Sequence, residues 1–207
     1  MNKKLGAVAL AATLFFVAAC SSTLKVGEVN SAGRFDSNST VDAEDIQVNA
    51  AYTAEEFGTT LVVQSFTENN TVNEFYYESL KNSQRFERVW NEEDVERFVL
   101  QNGIDGVTDA SSILSLSRLR EEIGPFLIVK PYFEWSGGYN YSATIEAIDP
   151  EDGNVVFQAE KRAFNWGGLD KPLFYPLFNS FMDWVDGTPV TATAGEAEEA
   201  AEADSAE

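Results

Sequence analysis

The sequence contains no histidine and a single cysteine, Cys20, among its 207 residues. Without histidine, the chain lacks the commonest general base and a common ligand of zinc. One cysteine cannot form a disulfide within the chain, so the folded part must be stabilised by its apolar core. The G-x-S-x-G, P-loop and G-x-G-x-x-G motifs are also missing. We therefore expect no catalytic residue, no metal site and no cofactor, and hence no enzyme.

Basic residues are scarce as well. The chain has 14 Lys and Arg against 34 Asp and Glu, which gives a formal net charge of −20. Removal of residues 1–19 would take away two lysines and leave a net charge of −22. Because such a surface repels nucleic acid and anionic lipid headgroups, the composition predicts that nucleic acid is not a partner.

Only the N-terminus carries a long apolar run. Lys3 and Lys4 precede 13 largely apolar residues, from Leu5 to Val17. This run is too short to span a bilayer as a permanent helix, but its length and its basic start are typical of a secretory signal. The small residues Ala18 and Ala19 then come directly before Cys20.

The tetrapeptide Val17-Ala18-Ala19-Cys20 resembles the lipobox of bacterial lipoprotein precursors. The resemblance implies that residues 1–19 are a signal peptide and that Cys20 becomes the first mature residue, S-linked to diacylglycerol and N-acylated. Ser21 and Ser22 replace the family's inner-membrane retention signal, typically an aspartate at the second mature position. The resemblance thus implies the periplasmic face of the outer membrane. An ordinary cleaved signal beside an incidental cysteine is the alternative.

Composition divides the mature chain into three parts. Residues 20–57 are rich in polar residues, which predicts a lipidated flexible tether with a reach of about 30–35 Å. The less polar stretch 46–57 leaves open a contact with the domain. Residues 58–187 are enough for a single periplasmic domain. The Ala, Glu and Asp residues of 188–207 predict a disordered acidic tail.

The first half of the domain alternates between strand and helix patterns. An apolar, β-branched run predicts a buried strand over 59–66. Thr71 and Glu74 have the spacing of a capping box, which predicts a helix from there to about Asn82. A short strand is expected over 85–90.

Two further helices are predicted after this strand. Asn91 and the three acids that follow it are typical of a helix N-terminus, and Gly103 is typical of its end. Asp109 is expected to begin the third helix, which Gly124 ends.

The second half of the domain reads as an antiparallel meander followed by a long helix. Strand patterns cover 126–135, 139–147 and 155–166, and Pro131 predicts a bulge or a sheet edge within the first strand. A broad apolar stripe predicts a helix over 170–185. We therefore expect an α/β (α+β) fold: a mixed sheet of about four to five strands with a C-terminal meander and with helices packed on the sheet.

Aromatic residues are concentrated around the turns and ends of the meander. In one interpretation some of them are exposed and bind a protein, a glycan or a membrane interface; in the other they cover the sheet under helices. Glu134, Glu146 and Glu160 have no spacing that separates them from ordinary surface acids, so a glycan hydrolase is disfavoured. The candidate binding aromatics are Tyr132, Phe133, Trp135, Tyr139, Tyr141, Phe164 and Trp166.

The predicted order of elements, behind a lipobox and a polar tether, looks like that of a family of small envelope α/β domains. The family includes the curli-secretion channel lipoprotein, the lipoprotein activator of penicillin-binding proteins, a Pel-polysaccharide export lipoprotein and the N-terminal domain of the translocation protein TolB. The resemblance implies a non-enzymatic outer-membrane lipoprotein that binds protein partners in envelope assembly, export or peptidoglycan synthesis. A ring-forming accessory of a secretion or export complex, and thus a homo-oligomer, is the alternative.

Overall fold

The computed structural model describes residues 24–65, 68–164 and 168–188. The signal peptide, Cys20 and nearly all of the acidic tail lie outside these ranges, so the predictions for them stay predictions. Within the described residues the strands are β1 (Ile46–Asn49), β2 (Thr60–Val63), β3 (Arg88–Asn91), β4 (Leu127–Trp135), β5 (Asn140–Ile148) and β6 (Val155–Phe164). The α-helices are α1 (Ala54–Phe57), α2 (Asn70–Asn82), α3 (Glu92–Asn102), α4 (Ile113–Ile123) and α5 (Tyr175–Val185). A π-helical turn, Asp170–Phe174, leads into α5.

The strands form one mixed sheet in the order β1-β6-β5-β4-β2-β3. β2 is parallel to both β3 and β4, whereas β4, β5 and β6 form the antiparallel meander. The fold class is therefore confirmed. The described sheet has six strands because β1, which the sequence did not predict, pairs with the outer side of β6.

Pro131 lies where β4 has no neighbour on one side. β2 accompanies β4 only as far as Val129, whose carbonyl accepts a hydrogen bond from the Gln64 amide. Successive residues of a strand point their amides to opposite sides, so residue 131 would direct its amide to the same side as Val129, beyond the end of β2. Pro131 therefore borders the sheet edge that the sequence predicted, because β2 has no paired residue beyond Val129.

Helix boundaries follow side-chain caps, and two of them differ from the predictions. α2 is capped by the Asn69 side chain, which accepts hydrogen bonds from the amides of Thr71 and Val72, so Thr71 lies inside the helix. α4 begins after Ser112, whose hydroxyl accepts from Ser115. Asp109, the expected start, instead closes a turn onto Ser111.

The boundaries predicted for α3 are confirmed. Asn91 and Asp94 form a reciprocal capping box at its start, and Gly103 ends it with a left-handed backbone at φ 64°. That conformation favours glycine, because a Cβ there would crowd the following carbonyl.

Each face of the sheet has its own core. α2, the π-helical turn and α5 cover one face, where their aromatic residues meet Phe157 and the alternating Ala143, Ile145 and Ala147. α3 and α4 cover the other face, but only around Val62, Ile128 and Ile148. The second face of the meander therefore stays uncovered beyond this point.

The segment 24–42, here called the strap, is the main difference from the predicted tether. Phe35 is only 3% exposed and stacks on Tyr175 of α5 at 4.8 Å. The backbone of Phe35 donates to and accepts from the Asn179 side chain, at 2.8 and 3.0 Å. Arg34 pairs with Asp183 and Asp186 at 2.8 and 2.7 Å. The prediction of a flexible tether is wrong for 24–45, because the strap packs on α5. For 46–57 the contact with the domain that the sequence left open is present, since β1 pairs with β6.

Among the described residues, no helix is both long and apolar enough to cross a membrane.

The strap provides a direct test of this packing. Phe35→Ala should lower the free energy of unfolding by about 3–5 kcal/mol, because it leaves a cavity against two aromatic rings. Val26→Ala, at an exposed position of the same strap, should change it by about 0.5 kcal/mol or less. Urea denaturation followed by circular dichroism measures both values. Equal and small effects would mean that the strap does not pack on α5.

Candidate interaction surface

The meander extends beyond the rest of the sheet. β4 continues for six residues after its last pairing with β2, about 20 Å of strand. β1 pairs with β6 only at Phe157 to Ala159. The far part of β4, β5 and β6, here called the meander tip, therefore comprises residues 130–146 and 160–164.

Two of the candidate aromatics belong to the core. Phe133 and Tyr141 lie side by side on the helix-covered face of the sheet, with ring centroids 6.0 Å apart and nearly parallel planes. Phe133 also contacts Phe174 of the π-helical turn at 5.7 Å. For these two residues the second interpretation holds, since they cover the sheet beneath helical residues.

Three other aromatics are exposed at the far end, and we call them the aromatic tip: Trp135 (63% exposed), Tyr139 (39%) and Phe164 (64%). Tyr139 and Phe164 pack edge to face at 6.0 Å, across the β5–β6 side of the turn. The Trp135 indole N–H donates to the Gly138 carbonyl at 3.0 Å, which holds its ring over the turn. Both turn glycines have positive φ, 97° and 62°, so the turn needs glycine here.

The opposite face of the meander tip is polar and open, and we call it the open sheet face. Most of its residues line a shallow groove of about 550 Å³, to which Glu68, Asn69, Phe133 and Ala143 also contribute. The strand register places its side chains in neighbouring cross-strand pairs. The face comprises Tyr132, Glu134, Ser142, Thr144, Glu146, Glu160 and Arg162.

Tyr132 is the most perturbed titratable group of this face. Its hydroxyl donates to Glu146 Oε2 at 3.1 Å. Burial, and to a lesser degree the charge of Glu146, raises the pKa of Tyr132 to about 12. The phenol is thus a neutral hydrogen-bond donor at physiological pH.

The acids of the open sheet face have structural partners or face solvent. Glu160 accepts from Arg162 Nε at 2.7 Å and from Gln47 Nε2 at 3.4 Å. Glu134 is exposed. Across the described residues, no three metal-ligating side chains are grouped so that they could hold a metal ion. A broad, shallow, hydrogen-bonding surface suits a polypeptide better than a small molecule, which needs an enclosed pocket.

Sequence reasoning located this region but not all of its residues. Trp166, Cys20 and the lipobox residues Val17, Ala18 and Ala19 lie outside the described residues. Gln47 was missed because β1 was not predicted. Arg162 could have been found, since the period-two pattern of β6 places it on the same face as Glu160.

The perturbed phenol gives a pH prediction. The folded state holds the Tyr132 proton more tightly than the unfolded chain, whose tyrosines titrate near pH 10. The free energy of unfolding should therefore fall as the pH rises from about 10 to about 12, and Tyr132→Phe should remove part of this fall. Glu146→Gln should keep most of it, because burial is the larger cause. Denaturation curves across this pH range test the claim, and an unchanged slope in Tyr132→Phe would contradict it.

Comparisons with known proteins give a distant likeness of fold. The sequence matches no protein-family model and no curated protein. It aligns with the LpoB C-terminal domain from Salmonella enterica over 53% of this chain and 85% of that one, at 11% identity and a TM-score of 0.37. For lipoprotein GNA1162 from Neisseria meningitidis the shares are 65% and 99%, at 16% identity and 0.36. For a PelC dodecamer from Paraburkholderia phytofirmans they are 71% and 97%, at 13% and 0.35.

Proposed function

We propose that this chain is a lipid-anchored protein of the bacterial outer membrane whose periplasmic domain binds a protein partner and catalyses no reaction. The observation that carries the proposal is the open sheet face, a polar surface of three strands that α3 and α4 leave uncovered. The partner belongs to envelope assembly, export or peptidoglycan synthesis, as the element order and the lipobox suggest.

The composition of the open sheet face supports protein binding. Tyr132 offers an aromatic ring and a hydroxyl, a combination enriched at protein interfaces. Thr144 and Glu160 supply hydrogen-bond acceptors on the two neighbouring strands, which are spaced about 4.8 Å apart, and Glu134 supplies another two residues along β4. Such a surface gives specificity through its hydrogen bonds and its negative charge.

The anchor is argued from the sequence alone. Acylation of Cys20 would add three chains, and each buried methylene contributes about 0.8 kcal/mol, so the protein would stay on its membrane. Ser21 at the second mature position favours transport to the outer membrane.

Two substitutions test the lipid anchor and the membrane to which the protein is delivered. Cys20→Ser should abolish acylation and move the protein to the soluble periplasmic fraction, as intact mass and fractionation would show. Ser21→Asp should keep the lipids but retain the protein in the inner membrane. Ser22→Ala, the control, should change neither. An unmodified Cys20 in the wild-type protein would disprove the anchor.

A photo-crosslinking amino acid at position 134 tests the partner-binding face. In intact cells, we expect it to trap one discrete envelope protein. The same amino acid at Leu100 is the control, because that side chain is 82% exposed on α3, which covers a different part of the sheet. Adducts of equal pattern from both positions, or none from position 134, would count against this face.

A ring-forming accessory is the second candidate, and the outer edge of β6 favours it. Beyond Ala159, no described strand pairs with Lys161 to Ala163 on the side where β1 lies. An exposed edge of this kind can accept a strand from another copy of the chain. Mass photometry of the unlipidated protein distinguishes the two candidates: a single defined oligomer favours the ring, and a monomer favours the binding module.

A further inference from the structure

The contacts of the strap show at which end of α5 the strap begins. The Tyr175 hydroxyl, at the first residue of α5, donates to the Lys25 carbonyl at 2.8 Å. Nine residues later, Arg34 pairs with Asp183 and Asp186 at the other end of α5. Residues 25–34 thus run along α5 from its N-terminal end towards its C-terminal end, and residues 36–39 return to Lys171 and Pro172, just before α5. Lys25, close to the first residue that the structure describes, therefore lies at the N-terminal end of α5.

That end of α5 lies beside the meander tip. α5 follows β6 after a short connection, so it starts near the end of β6 that carries Phe164. Phe174, the residue before α5, contacts Phe133 at 5.7 Å. Trp135 is two residues farther along the same strand, about 7 Å towards the turn. The aromatic tip and the point where the strap begins therefore share one end of the molecule.

The link from this point to the lipid anchor is short. Cys20 precedes Lys25 by five residues, which span at most about 18 Å when fully extended. This reach exceeds the roughly 7–10 Å by which the meander tip projects beyond Phe174. With so short a link, an anchor at Cys20 would keep the N-terminal end of α5, and with it the aromatic tip, close to the membrane.

The chemistry of the aromatic tip suits the surface of a bilayer. The stretch 135–141, Trp-Ser-Gly-Gly-Tyr-Asn-Tyr, has no charged residue in a chain with a net charge of −20. The nearest charged side chains are Glu134, one residue before this stretch, and Arg162 of β6, which pairs with Glu160 at 2.7 Å. Trp and Tyr concentrate at the membrane–water interface, where the ring is apolar and its polar atom stays hydrated.

We propose that the aromatic tip inserts into the headgroup region of the membrane that holds the anchor, with a zwitterionic lipid such as phosphatidylethanolamine as its ligand. The orientation rests on the proposed acylation of Cys20; the lipid affinity of the tip does not. In this arrangement the plane of the sheet is roughly perpendicular to the membrane, so the open sheet face is not turned towards the membrane.

The orientation is tested with acylated full-length protein in phosphatidylethanolamine-rich vesicles that contain a spin-labelled lipid with its nitroxide near the headgroup. Tryptophan fluorescence should be quenched in the wild type, and Trp135→Phe should lose a clear part of that quenching. Trp90→Phe is the control and should lose none. Trp90 lies opposite Val62 in the sheet, and Val62 lies opposite Ile128, which is about 23 Å from Trp135 along β4. Equal quenching in the wild type and Trp135→Phe would overturn the orientation.

The affinity is tested separately with Cys20→Ser protein, which has no anchor. Its binding to the same vesicles should fall about tenfold in a Trp135→Ser, Phe164→Ser double variant, as expected for the loss of two apolar rings from the interface. Unchanged binding would overturn the proposal.

If Cys20 proves not to be acylated, this measurement still decides the lipid affinity of the tip. Thermal unfolding checks that the double variant is folded. Crosslinking of the tip to a protein, without lipid quenching, would assign it to a partner instead.

Discussion

The burial of α5 is the interaction on which the other parts of the structure depend. On its sheet side, Phe181 and Trp184 enclose Phe157 of β6 at 5.7 and 5.0 Å. Towards α2, Phe178 meets Tyr76 edge to face at 4.9 Å. Its outer surface holds the strap through Phe35. A single helix of 11 residues thus joins the sheet, the second helix and the N-terminal segment, so the loss of its aromatic stripe would separate all three.

The sequence predicted the elements whose patterns are local. The alternation of Ala143, Ile145 and Ala147 is enough to identify β5, and the apolar stripe is enough to identify α5. The strap could not be found in this way, because the rings that Phe35 packs against, Tyr175 and Phe178, follow it by about 140 positions in the chain. Its polar composition is typical of a tether. Thr71 was a plausible cap, but the cap lies two residues earlier, where the Asn69 side chain accepts from the amides of Thr71 and Val72.

The interaction surface could be predicted as a region but not as a set of exposed side chains. Strand alternation assigns Phe133 and Trp135 to the same face, yet one ring is covered and the other is not. What separates them is the position of Phe174, which reaches Phe133 but not the turn. Likewise, the extent of the open sheet face depends on where α3 and α4 stop. Both are consequences of tertiary packing, which residue periodicity does not contain.

The pairing of the two chain ends also sets an order of events during synthesis. The strap and β1 dock onto residues 157–186, which are made more than a hundred residues later. Because loops of this length must close before these contacts form, they form after the contacts between neighbouring strands. For a secreted chain acylated at Cys20, as proposed above, this order would leave Cys20 within reach of the processing enzymes until α5 has folded and the strap has docked on it.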